Sequence, residues 1–184
     1  MNVPTTPVLL DPDDLLRMPD GDRYELIDGV PVEKAMGAEA DWIGTTLIGL
    51  LQPFCRANKL GRVCGAGTGY QCFPSHPKRV RLPDVSFVAA GRLPGDRIPE
   101  GYIPIAPDFA AEVVSPKERY EKVQQKIMDY KDARIRLIWV ISPKTRTVLI
   151  RRLDGTCAEV GEAGELSGED VIPGFTCKVA DLFV

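Results

Sequence analysis

The sequence predicts an α/β (α+β) fold, a mixed central β-sheet flanked by helices and preceded by an N-terminal β-hairpin. Two short runs, Val80–Val88 (VRLPDVSFV) and Phe109–Val114 (FAAEVV), are apolar on both faces, as strands in the middle of a sheet are. Two segments, from about Glu39 to Lys59 and from Lys117 to Ala133, repeat apolar residues at three- and four-residue steps and read as helices. The order strand, helix, strand from Phe109 to Ile141 suits a parallel crossover, while a hairpin before it and a strand pair after it suit antiparallel pairing.

Taken in order, Asp11–Met18 places acidic residues at the start of a short helix, facing the positive end of its dipole, and Pro19-Asp20-Gly21 ends it. Tyr24–Ile27 and Val30–Ala35 flank Asp28-Gly29, a dipeptide that tolerates the backbone angles of a two-residue hairpin turn. In the first long helix Ile43, Leu47, Leu50 and Phe54 form the apolar stripe, with Pro53 threatening a kink. Arg62–Phe73, rich in Gly, suits twisted strands and turns. Ala90–Pro107 holds four Pro and three Gly and reads as a long loop excursion. Ser115-Pro116 leads into the second helix, whose stripe is Tyr120, Val123, Ile127 and Tyr130. Ile135–Ile141 and Thr147–Leu153 read as strands joined through Ser142-Pro143-Lys144, and the tail from Gly155 gives a pair of short strands before Leu182-Phe183-Val184.

At 184 residues the chain has the length of one domain, spanning 1–184. Hydrophobic residues make up 44% and charged residues 27%, which excludes a disordered or low-complexity chain. No run reaches the roughly 20 apolar residues of a membrane span, and the N-terminus lacks signal-peptide character, so a cytoplasmic protein is expected. Five cysteines (Cys55, Cys64, Cys72, Cys157, Cys177) without a Cys-x-x-Cys pair argue against both a disulfide framework and a zinc knuckle. With 23 Lys+Arg against 26 Asp+Glu the net charge is −3, so a polyanion would have to be gripped by a local patch. Lys78, Arg79 and Arg81, with Arg134, Arg136, Arg151 and Arg152, could form such a basic rim or an ordinary solvated face.

Charge in apolar places is the informative anomaly. Asp84 interrupts VRLPDVSFV and Glu112 interrupts FAAEVV. Burial disfavours an ionised carboxylate unless a cation, a metal or several donors hold it. Two such groups on adjacent strands would repel, and one divalent cation between them removes both penalties; hard oxygen donors of this kind suit Mg²⁺ or Mn²⁺. Pattern alone leaves an equal alternative, in which Asp84 caps a turn after Pro83 and Glu112 pairs with a surface arginine. Lys126 lies at the edge of the second helix's stripe, where its ammonium either reaches inward to the site or snorkels from the flank; Lys131 sits as close to the other edge. Glu25, in the hairpin, means little by itself. His76, the sole histidine, lies in a polar turn and excludes a His-based triad or zinc site. Gly65-Ala66-Gly67-Thr68-Gly69 lacks the Gly-Lys-Ser/Thr ending of a phosphate loop and reads as a strand bend.

The segments Tyr24-Glu25-Leu26-Ile27-Asp28-Gly29, Leu82-Pro83-Asp84-Val85-Ser86, Glu112-Val113-Val114-Ser115-Pro116 and Lys126-Ile127-Met128-Asp129-Tyr130, then Trp139-Val140-Ile141, resemble in order and spacing the Uma-two family. That family is a bacterial group of restriction-endonuclease-like proteins within the PD-(D/E)XK nuclease superfamily, and the resemblance spans nearly the whole chain. It implies a restriction-endonuclease-like fold and Mg²⁺-dependent endonuclease activity, with nucleic acid, DNA ahead of RNA, as partner and a homodimer as the assembly. Asp84 and Glu112 would bind the metal together with the backbone carbonyl of Val113. Val114 stands where the superfamily's lysine would be, and Lys126, with Tyr130 packing beside it, takes that place from the following helix. Glu25 would be an additional acidic residue of the site, as a metal, water or outer ligand. The chain departs from the family pattern where Ala40 replaces a histidine after the hairpin, Arg134 a glycine after the second helix, and Leu137 a glutamate before the aromatic strand. These departures motivate the rival expectation, a nuclease-fold protein that binds nucleic acid or protein without cleavage. A third expectation is an interaction domain working through the Ala90–Pro107 loop.

Overall fold

The computed structural model describes residues 9–34, 37–115 and 119–184. Its first helix, α1 (Pro12–Arg17), is held at its start by Asp14, whose carboxylate accepts the Asp11 N–H at 3.0 Å. The strands β1 (Tyr24–Ile27) and β2 (Val30–Glu33) pair antiparallel, and Asp28 (φ 51°) with Gly29 (φ 82°) supplies the left-handed turn that matches strand twist. The expected end of the second strand, Ala35, lies outside the described residues. The long helix α2 (Ala38–Ala57) follows; Pro53 lies inside it without ending it.

The central sheet has six strands: β3 (Gly61–Gly65), β4 (Val85–Ala89), β5 (Phe109–Val113), β6 (Leu137–Ser142), β7 (Thr147–Arg152) and β8 (Cys157–Gly161), side by side in that order. Every neighbouring pair is antiparallel except β5 and β6, which run parallel and are connected through helix α3 (Tyr120–Asp132). The mixed sheet and the parallel crossover are as the sequence predicts. Two short strands, β9 (Glu165–Ser167) and β10 (Thr176–Lys178), pair apart from it.

Two helices cover opposite faces of the sheet, and the alternation of side chains along β5 is what places the site. Phe109, Ala111 and Val113 share a core with Ile43, Leu47, Leu51 and Cys55 of α2, and Phe109 meets Trp139 edge to face at 5.0 Å between ring centroids. Ala110 packs on the other face with Val123, Ile127 and Tyr130 of α3. Glu112, two residues on from Ala110, therefore faces α3 at the C-terminal end of β5.

Several boundaries differ from expectation. The buried stripe of α2 runs through Leu51 and Cys55, with Leu50 and Phe54 half-buried at its flank, because the 3.6-residue turn carries the stripe one position further along. VRLPDVSFV is not one strand. Val80 and Arg81 make single bridges to Leu26 and Tyr70, Pro83 has no N–H for a ladder, and β4 starts at Val85. Tyr120, expected in the α3 stripe, is 72% exposed at the first turn, before the helix reaches the sheet. Pro116 and Lys117, expected to open that helix, lie outside the described residues. In the tail β8 extends the main sheet, and the separate pair forms after it. The Ala90–Pro107 excursion is pinned by a bridge between Ile103 and Tyr70 and buries Leu93 and Ile103. All five cysteines are free thiols. Among the described residues no helix is long and apolar enough to cross a membrane.

Candidate active site

The antiparallel pairing of β4 with β5 brings the start of one strand to the end of the other. Val85 lies opposite Ala111, so Asp84, one residue before, reaches the level of Glu112. The Val113 N–H donates to Asp84 Oδ2 at 2.7 Å, which fixes this carboxylate against the β5 backbone beside Glu112. Helix α2 passes close by, since a Cβ at Gly44 would lie 3.9 Å from that of Asp84. The Asp84 side chain keeps 18% of its surface exposed, whereas Glu112 keeps 3%. The pair thus has one member facing solvent and one enclosed.

Each carboxylate is met by a lysine. Lys126 Nζ lies 2.8 Å from Glu112 Oε2, and the Tyr130 hydroxyl donates to Glu112 Oε1 from one helical turn further along α3. Of the two positions the sequence leaves open for Lys126, the structure shows the inward one: it is 6% exposed. Lys34, one residue past β2, places its Nζ 2.8 Å from Asp84 Oδ1 and donates to the Leu82 carbonyl at 2.7 Å. Burial pushes the Glu112 carboxyl up and Asp84 pushes it further; Lys126 and Lys34 pull it down, and the balance lies at about 7. The Tyr130 hydroxyl is raised well above its usual value by burial and by Glu112, so it stays protonated and remains a donor.

A second buried charge network holds the elements that carry these groups. Arg81 Nη1 donates to Glu25 Oε2 at 2.8 Å and its Nε to Asp129 Oδ2 at 2.6 Å. Glu25 Oε1 accepts the Leu82 N–H at 3.1 Å, and Arg79 spans Asp129 and Asp28. Burial acts to lower the Arg81 pKa, but Glu25 and Asp129 outweigh it and the guanidinium is held charged. The hairpin (Glu25), the segment entering Asp84 (Arg81, Leu82) and α3 (Asp129) are thereby locked in one arrangement. Losing one partner of such a buried pair typically costs about 3–5 kcal/mol.

The register sets Asp84 beside Glu112; Lys126 meets Glu112, and Val113 meets Asp84 through its N–H. Glu25 is adjacent, with both oxygens engaged by Arg81 and Leu82. Of the basic residues that could form a rim or a solvated face, Arg79 and Arg81 are buried in the network, while Lys78 pairs with Asp11, Arg136 with Asp170, and Arg152 with Glu169. Sequence reasoning missed Lys34 altogether, read Arg81 only as part of a possible basic rim, and quoted Asp129 without a role, though it lies three residues after Lys126 and beside Tyr130 on the helix face toward the sheet. Ala40 is half-buried against the core at the start of α2. Arg134 adopts the left-handed conformation (φ 60°) just past α3 that a glycine takes without strain. Leu137 is fully buried in the core, where a glutamate would be costly.

The donor set fits a hard divalent cation. Two neighbouring carboxylates, one partly open, match the one or two that Mg²⁺ takes alongside waters. Each carboxylate has about four lone-pair positions and meets two polar partners among the described residues, Val113 N–H and Lys34 at Asp84, Lys126 and Tyr130 at Glu112, fewer than those positions. Among the described residues no third Asp, Glu, His or Cys joins them as a metal-holding group. Of the means by which a buried carboxylate can be held, the described residues supply a cation at each: Lys34 meets Asp84 and Lys126 meets Glu112.

A family model described as "Putative restriction endonuclease", Uma2, matches residues 12–180. Among solved structures, the chain is similar to a putative nuclease of the DUF820 group from Anabaena variabilis, at 21% identity and a TM-score of 0.78, covering 95% of this chain and 97% of that one; this likeness concerns the fold. None of the curated proteins matches. With its model extending from α1 to the closing residues, the chain belongs to the Uma2 family.

Proposed function

We propose that the protein is an endonuclease that hydrolyses phosphodiester bonds in DNA with Mg²⁺ or Mn²⁺ held by Asp84, Glu112 and the backbone carbonyl of Val113. The single observation that carries this reading is the meeting of two acidic side chains from adjacent strands at a partly open end of the sheet, with the Lys126 ammonium on one of them. When bound, the cation polarises the scissile phosphate and lowers the pKa of a bound water. The chain's own groups do the rest. The Val113 N–H fixes Asp84, and Tyr130 with Lys126 fixes Glu112, so the pair is oriented before substrate arrives. Lys126, already charge-paired, is placed to orient the attacking water or to offset charge on the phosphate in the transition state. Glu25 acts as a positioning residue through Arg81 and the Leu82 N–H.

A second reading, a nuclease-fold binding protein without cleavage, is favoured by the charge balance of two lysines against two carboxylates. Cleavage of double- and single-stranded DNA with and without Mg²⁺ or Mn²⁺ separates the two. Metal-dependent cleavage that disappears in Asp84→Ala and Glu112→Ala, with both variants folded, supports the endonuclease. Undiminished cleavage in either variant overturns the assignment of the site, and binding of DNA without cleavage supports the second reading.

A further inference from the structure

Lys34 belongs to none of the segments that carry the family resemblance, yet its ammonium meets the more exposed member of the acidic pair. Its side chain is 6% exposed, and its Nζ lies 2.8 Å from Asp84 Oδ1 and 2.7 Å from the Leu82 carbonyl. Its backbone is fixed as well, through the Lys34 N–H to the Arg23 carbonyl at 2.9 Å, an extension of the hairpin ladder. A buried cation in contact with an oxygen that would ligate a metal has two effects. Without metal it relieves the repulsion between Asp84 and Glu112. With metal it repels the incoming ion, which must sit closer to the same oxygen, at about 2.0–2.1 Å for Mg²⁺.

We propose that Lys34 is a resident stand-in for the divalent ion, holding Asp84 in its ligating position when metal is absent and setting the metal concentration at which the site fills. This rests on the cation reading above and adds a residue to it. The second acceptor makes the exchange feasible. On losing Asp84 the ammonium keeps its hydrogen bond to the Leu82 carbonyl, so it can step aside within the site with an acceptor still in reach. From α3, Lys126 meets the enclosed Glu112, whereas Lys34 meets Asp84, the half-open member. A purely structural latch between the hairpin and the Leu82–Asp84 segment is the competing account, and it predicts the opposite sign for metal affinity.

The test is Mn²⁺ titration calorimetry, with thermal unfolding with and without Mn²⁺, on the wild-type chain, Lys34→Gln and Lys34→Arg. Glutamine keeps a donor for the Leu82 carbonyl but removes the charge. Lys34→Gln should unfold at lower temperature without metal, bind Mn²⁺ about tenfold or more tightly, and gain more in unfolding temperature from Mn²⁺ than the wild type does. Lys34→Arg, which keeps the charge, should resemble the wild type in affinity. Folded Lys34→Gln that binds Mn²⁺ as weakly as the wild type, or more weakly, overturns the proposal while leaving the cation reading in place. Absence of Mn²⁺ binding from all three removes the cation reading itself. Binding by Lys34→Gln alone supports the stand-in role and shows the lysine to be blocking the site.

Discussion

Asp129→Ala removes the carboxylate that two buried guanidinium groups share. Arg79 and Arg81 are 3% and 4% exposed, and both donate to Asp129, which also accepts from Gln125 Nε2 at 3.1 Å. Breaking a buried pair by deleting one partner costs about 3–5 kcal/mol, because the remaining charge is left without compensation. Each arginine here retains a second carboxylate, Asp28 for Arg79 and Glu25 for Arg81, so the lower end, about 3 kcal/mol, applies. For a chain of this length that is a fall in melting temperature of about 10 °C. Urea unfolding followed by tryptophan fluorescence, to which buried Trp139 and exposed Trp42 both contribute, measures it as a lower midpoint at unchanged slope. Arg17→Ala is the control, since it breaks an exposed pair with Asp14 and should change stability by under about 0.5 kcal/mol. A loss below about 1 kcal/mol in Asp129→Ala would show that the network does not hold α3 against the segment entering Asp84.

The Glu112 carboxyl has its folded-state value raised from 4.5 to about 7, so between those values the folded chain binds a proton that the unfolded chain has released. Stability should therefore fall as pH rises through that window, and Glu112→Gln should flatten the slope in unfolding curves recorded across it. Lys126→Met removes the strongest influence lowering that carboxyl, and carbon-13 NMR of Glu112 should show its titration midpoint move upward. Arg134→Gly relieves a left-handed residue of the kind that costs about 1–2 kcal/mol outside glycine. Thermal unfolding should show a gain of roughly 1 kcal/mol after the entropy that glycine forfeits.

Much of the fold was legible in the sequence because periodicity reports burial directly. The runs around Phe109 and Leu137 lie in the interior of the sheet, and Asp28-Gly29 makes the turn its residue types demand. The breaks were harder to see. VRLPDVSFV reads as one strand until Pro83 interrupts the ladder, and the tail's first strand joins the main sheet only through long-range pairing with β7. The acidic pair was visible as two charges in apolar runs, since burial of a carboxylate needs a reason. The groups that satisfy that need were not. Lys34 follows a strand without a fully buried residue whose end carries exposed Glu33, and nothing local separates a lysine that turns inward from one that is solvated. Arg79 and Arg81 read as a basic rim because their partners, Asp28, Glu25 and Asp129, lie about 50 residues away in sequence, and only the tertiary arrangement turns a charged stretch into a buried network.

The most direct test of the central claim, that Asp84 and Glu112 together form one divalent-cation site, is calorimetric titration of Mn²⁺ into the wild-type chain, Asp84→Asn and Glu112→Gln, with folding checked by circular dichroism. Saturable binding by the wild type that is lost in both folded variants is the predicted result. Binding of equal strength in all three chains would contradict it.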